Sequence, residues 1–164
     1  MEIQDLGAIG DLIGGVAIIV SLIYVGVQIK QSTAASRAAT YQAFSQQYTQ
    51  HMVPLQRADF RDIFLRGLGD ADSLDAGEKV AFFSYLNGVL RMFEAFYLQQ
   101  KDGSFESSVY EPWAAQLVDL LGNSGAKSYW KIRRHTFHVE FADHIDNLQS
   151  NSNPRPMYGK KSGA

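Results

Sequence analysis

Cysteine is absent from this 164-residue chain, which excludes disulfides, thiolate metal sites and a cysteine nucleophile, and fits a reducing compartment. An excess of basic charge is missing too. The 15 Lys and Arg stand against 17 Asp and Glu, and the net charge of −2 gives no reason to expect nucleic-acid binding. No alternating strand pattern of any length, internal repeat or low-complexity block is present. The G-x-S-x-G, Walker A and Rossmann fingerprints are lacking, so the sequence carries no catalytic motif. Gly14-Gly15 lies inside an apolar run and cradles no phosphate.

What the chain does have is residues 7–29, GAIGDLIGGVAIIVSLIYVGVQI, which hold one charge, Asp11, and run uncharged from Leu12 to Ile29. An apolar run of this length predicts a transmembrane helix, because 18 residues at about 1.5 Å each reach about 27 Å, close to the hydrocarbon thickness. A secretory signal fits poorly: the N-terminus carries Glu2 and Asp5 with no Lys or Arg, and the apolar core is too long. Lys30 and Arg37 follow the span while acids precede it, so the positive-inside rule places the C-terminal side in the cytoplasm. Tyr24, about one and a half turns before Lys30, suits the inner interface. The expected partners are the lipid bilayer and other membrane helices.

Within the span, Gly7, Gly10, Gly14, Ala17, Ser21, Tyr24 and Gln28 recur at alternating spacings of three and four, an a/d seam of small and then polar residues. Leu12, Ile13, Val16, Ile19, Val20, Ile23 and Val27 lie elsewhere and suit lipid. Membrane helices associate through close backbone approach at small residues, since apolar burial gives no drive there, so the seam is a candidate helix-packing face. Asp11 falls about one turn inside the span, where an acid either snorkels to the headgroups or has a function.

The chain divides into a transmembrane helix over residues 1–30, a helical soluble domain over residues 31–150 and a polar tail over 151–164. The span either continues into the polar stretch 30–52 or breaks near Ser32-Thr33, and Pro54 ends or kinks it. Tyr41, Phe44, Tyr48 and Met52 form its apolar stripe, and His51 reads as a surface residue. A helix with Phe60, Ile63, Phe64 and Leu68 on one face stops at Gly67 and Gly69. Ser73 or Asp75 caps the strongest soluble helix, 78–100, whose face holds Phe82, Leu86, Val89, Leu90, Phe93, Phe96 and Tyr97. Shorter helices follow near 110–121, with Pro112 in the first turn, then 124–136 and 138–149, with Gly122 to Gly125 as a turn. The aromatic residues, 10 Phe, 8 Tyr and 2 Trp, are read as core, with no cofactor implied.

The polar residues nearest to a site are Arg91, Glu94, Arg133, Arg134 and His135, with Asp11 in the span. Glu94 on its apolar helix needs a partner, for which Arg133 or Arg134 is the cross-helix choice. His135, His138, Glu140, Asp143 and His144 match no strong metal template, so no metal is expected.

Segments 8–33, 60–83, 90–100 and 129–146 together resemble a set of short bacterial proteins without an established activity, each with one N-terminal membrane helix and a helical cytoplasmic domain. In that set an acid, usually Glu, stands where Asp11 does. The resemblance implies a bacterial cytoplasmic-membrane location and transfers no catalytic residue. The reading is an all-α, single-span assembly protein: a homo-oligomer or an accessory subunit of a larger membrane complex. The alternatives are a membrane-tethered enzyme or small-ligand-binding domain, and a homo-oligomeric channel.

Overall fold

The computed structural model describes residues 3–104 and 107–155, with side chains from Leu12 onward. Six α-helices and three short 3-10 turns make up the described residues, with no strand among them. The chain forms two compact units, residues 1–40 and 41–164.

Helix α1, Ile3–Met52, is one unbroken helix of 50 residues, so the alternative of a break near Ser32-Thr33 does not occur. Thr33 shows why a hydroxyl residue is tolerated there. Its Oγ1 donates to the Ile29 carbonyl at 2.9 Å, and Ser21, Thr40 and Thr49 make the same i−4 bond. A Cβ built on Gly15 or Gly26 would meet nothing within 4 Å beyond the helix's own backbone. From Leu12 onward α1 contains a stretch long and apolar enough to cross a membrane, none of it buried.

In the second unit, Pro54 occupies the start of a 3-10 turn, Val53–Gln56, which follows directly on α1. Helix α2, Ala58–Gly69, buries Phe64, Gly67 and Leu68. A 3-10 turn at Ala71–Ser73 leads to α3, Ala76–Lys101. Asp75 is the N-cap: its side chain accepts the Glu78 N–H at 2.8 Å, while the Glu78 carboxylate accepts the Asp75 N–H at 3.1 Å. Arg66 from α2 grips the same carboxylate at 2.5 Å, and this bond is the main reason that the Glu78 carboxyl lies below its usual range. Helix α3 ends at Asp102, and Gly103 takes the left-handed φ of 77° that the turn needs.

Helix α3 is the centre of the unit and touches α2, α4 (Ser107–Leu121), α5 (Ser124–Arg133) and α6 (Val139–Asn151). All seven residues expected on its apolar face are buried, and Tyr85 and Met92 join them. Phe44 on the last turns of α1 stacks on Phe96 at 3.8 Å and meets Trp113 edge-on at 5.0 Å. His51 is half-buried, not a surface residue. It stacks on the Tyr85 ring at 4.5 Å and its Nε2 lies 3.0 Å from the Tyr85 carbonyl oxygen. Gly88 makes the room, since a Cβ there would lie 2.3 Å from the imidazole Cε1.

Three further expectations are corrected. Pro112 is not in the first turn of its helix: α4 begins at Ser107, so proline sits inside it and leaves the Ser108 carbonyl without its usual i+4 donor. Gly67 does not stop α2, and Gly125 belongs to α5 rather than to the turn before it. These two glycines are where the helices meet. A Cβ on Gly125 would lie 1.7 Å from the Gly67 carbonyl oxygen, and Ser124 Oγ donates to the Gly69 carbonyl beside it. The first residues of the expected tail are also packed: the Arg155 N–H donates to Asp119 Oδ1 at 2.7 Å.

Replacing Gly125 with alanine is therefore expected to destabilise the unit by about 1–3 kcal/mol, because the backbone of α2 has to shift despite the better helix propensity of alanine. Gly69→Ala is the control, with nothing within 4 Å of the added Cβ. Thermal melts of both variants check this, and equal melting temperatures would refute the close approach.

Candidate functional site

Three groups of residues are candidates. The first is the stripe on α1. Gly7, Gly10 and Asp11 lie in the helix, but their side chains fall outside the described residues. Gly14, Ala17, Ser21, Tyr24 and Gln28 are all exposed, and nothing lies within 4 Å of a Cβ built on Gly14. The polar members each make one bond within the helix. Ser21 Oγ donates to the Ala17 carbonyl at 2.8 Å, and Gln28 Nε2 donates to the Tyr24 hydroxyl at 2.7 Å. Around the stripe, the large aliphatic side chains from Leu12 to Ile29 are between 48% and 69% exposed.

The second group is the cluster of Arg91, Glu94, Arg133, Arg134 and His135. The expected pair of Glu94 with Arg133 or Arg134 does not form. Glu94 pairs with Arg91 on its own helix at 2.8 Å, with its side chain 12% exposed. Its other oxygen accepts the His138 N–H at 2.5 Å. His138 is the N-cap of α6 and makes no side-chain capping bond, so a carboxylate from α3 satisfies an N–H at that end. Arg91 completes the clamp: it donates to the Thr136 carbonyl at 2.9 Å and lies over the Phe137 ring at 4.3 Å. Arg134 binds Asp143 at 2.6 Å and Asp146 at 2.5 Å, and Asp146 also accepts the Trp130 indole N–H at 2.8 Å. These two acids hold the Arg134 guanidinium firmly protonated.

Arg133 lies apart, on a groove of about 560 Å³ between α3 and α5, floored by Phe83 and Tyr129. There the Tyr129 hydroxyl donates to Asn87 Oδ1 at 2.9 Å. His135 is exposed in a 3-10 turn, and the turn interrupts the helix that would have put it on one face with His138. Among the described residues, no three His, Asp or Glu side chains converge as metal ligands would.

The third group was not anticipated. Tyr110 on α4 and His144 on α6 line a pocket of about 270 Å³. Their rings lie 5.7 Å apart, and His144 also stacks on Tyr97 at 4.7 Å. The Tyr110 hydroxyl and His144 Nε2 are both shut off from solvent and have no hydrogen-bond partner among the described residues. Burial pushes the Tyr110 hydroxyl well above its usual pKa and, with no acid to offset it, pulls that of His144 below 6.5. The sequence did contain a signal. Tyr110 is in register with Ala114, Leu117, Val118 and Leu121, and His144 follows Phe141 by three residues, so both point inward by helical spacing.

No protein-family model, curated protein or solved structure matches this chain. The resemblance to the short bacterial membrane proteins therefore rests on the quoted segments alone.

Because the folded state holds the His144 imidazole neutral, the unfolded chain takes up this proton first as pH falls. Stability from this site is thus complete above the unfolded value near 6.5 and is lost as pH drops below it. The readout is a difference between two chains. Denaturant unfolding of the native chain and of His144→Leu between pH 8 and pH 5 should show the native chain losing ground on the variant below about pH 6.5. A pH-independent difference would contradict the burial argument.

Proposed function

We propose that this protein is a membrane-anchored assembly protein: residues 12–29 of α1 span a bilayer, and the small-residue stripe joins the helix to other membrane helices, either copies of itself or subunits of a larger complex. The observation that carries this reading is the uncovered apolar surface from Leu12 to Ile29. It includes eleven large aliphatic side chains. At about 1.5–3 kcal/mol for each such side chain, leaving them in water costs on the order of 20 kcal/mol. That exceeds the stability of a typical domain, so the surface needs a cover.

The internal hydrogen bonds of Ser21 and Gln28 suit a lipid surrounding, where an unpaired polar group is costly. The bare backbone at Gly14 suits close approach by a second helix. Lys30 and Arg37 at the C-terminal end of the span favour an orientation with the helical unit in the cytoplasm, at a bacterial inner membrane. An assembly role is favoured over a tethered enzyme built on the charged cluster, because Arg91, Glu94 and Arg134 spend their charged groups on the junction between α5 and α6.

The test is a Gly10→Leu, Gly14→Leu double variant. A Cβ at position 14 has no side chain or other element within 4 Å, so the change reads association rather than folding. The variant should remain in the membrane fraction after alkaline extraction, while its detergent-solubilised complex shrinks toward a single chain of 18.3 kDa. An unchanged complex size would remove the stripe as the packing face. Release by alkali of the native chain would remove the span.

A further inference from the structure

The groove between α3 and α5 carries a cation that no described residue answers. Residues 120–139 hold Lys127, Lys131, Arg133 and Arg134 and no Asp or Glu, so this stretch is basic in a chain whose net charge is −2. Arg134 is taken up by Asp143 and Asp146. Arg133 is exposed, and its side chain makes no ion pair or hydrogen bond among the described residues. It stands one turn after Tyr129 on α5, lines the same groove, and its charge acts on the Tyr129 hydroxyl. That hydroxyl donates to Asn87 Oδ1 at 2.9 Å, which occupies the amide oxygen and leaves the Nδ2 protons unused among the described residues. Lys79 lies eight residues, or about 12 Å, before Asn87 along α3 and is already paired with Asp72 at 2.6 Å. No Asp or Glu lines the groove, so its one unanswered charge is that of Arg133. The apolar part of the lining is equally uncovered. Val80 is 67% exposed, and the half-buried Phe83 ring meets Tyr129 edge-on at 5.1 Å.

The geometry points to a site for a small organic monoanion, a carboxylate on an apolar body, with its charge on Arg133 and its body against Phe83 and Val80. A guanidinium presents paired N–H donors in the plane of a carboxylate, and such charge-assisted bonds are about twice as strong as neutral ones. A cation would meet Arg133 with no acid to offset it, and an uncharged molecule would leave the guanidinium to water alone. A volume of about 560 Å³ falls within the range of small-molecule sites. Val80, Ser84, Asn87 and Arg133 are all exposed, so the groove is open to solvent and admits a ligand without movement of a helix. This site is independent of the assembly reading, since every residue in it belongs to the unit of residues 41–164.

The test uses the full chain in phosphatidylcholine nanodiscs, with the ring signals of Tyr129 followed by NMR. The probes are 3-phenylpropionate, 3-phenylpropanol and acetate at equal free concentration. The second lacks the charge and the third lacks the body. 3-Phenylpropionate should shift Tyr129 saturably, with the other two binding at least tenfold more weakly. Arg133→Gln removes no bond within the fold and should weaken 3-phenylpropionate at least tenfold. Lys131→Gln removes the same charge from an exposed position on α5 outside the groove lining and should leave the affinity unchanged within about twofold. Absence of a saturable shift, equal affinity for either other probe, unchanged affinity in Arg133→Gln, or an equal loss in Lys131→Gln would overturn the site. The comparison of the three probes on the native chain decides the question even if a variant fails to fold.

Discussion

Everything else about this protein depends on one constraint: an unbroken helix carries a sheath of aliphatic side chains that no part of its own unit covers. A soluble helix of this length normally confines its apolar residues to one stripe and pays no such cost. Here Leu12, Ile13 and Ile18 point in different directions around the axis and are all exposed. Lipid satisfies such a surface, and Ser21 and Gln28 each bond to a group of their own helix.

The second unit obeys the opposite rule. Its apolar side chains close around α3, and its charges serve the joints between helices. Arg66 ties α2 to the cap of α3, Glu94 and Arg91 hold the start of α6, and Arg134 ties the end of α5 to Asp143 and Asp146. The close approach at Gly67 and Gly125 is the geometric counterpart of these ties, since only bare backbone lets α2 and α5 come so near. In this frame the polar atoms of Tyr110 and His144, buried without a partner among the described residues, are the exception.

The helical class, the long apolar N-terminal helix, the Asp75–Glu78 cap and the buried face of α3 were all legible in the sequence, because each is set by local spacing and local hydrogen bonding. What was not legible depends on contacts between helices. Gly67 and Gly125 looked like breakers because a glycine in a sequence signals either a turn or a close approach, and only the neighbouring helix tells which. His51 looked like a surface residue because the space it fills is made by Gly88, a residue 37 positions later. Glu94 was read as needing an arginine across the core, and it found one a turn away and a backbone N–H across the core instead. Tyr110 was counted only among the core aromatics and His144 was weighed only as a metal ligand, and the packed structure reveals that the polar atoms of both are buried without a partner among the described residues.

The most direct test of the central claim uses the absence of cysteine, which makes any introduced thiol unique. Single cysteines placed in turn from Leu12 to Ile29 and spin-labelled in liposomes report their surroundings through collisions with oxygen, which dissolves in lipid, and with a water-borne nickel complex. The account predicts high oxygen access and low nickel access throughout the segment, with oxygen access dipping at Gly14, Ala17, Ser21 and Tyr24, where another helix packs. Free access for the nickel complex, or protection from both reagents at every position, would contradict it: the first would place the helix in water, the second inside protein.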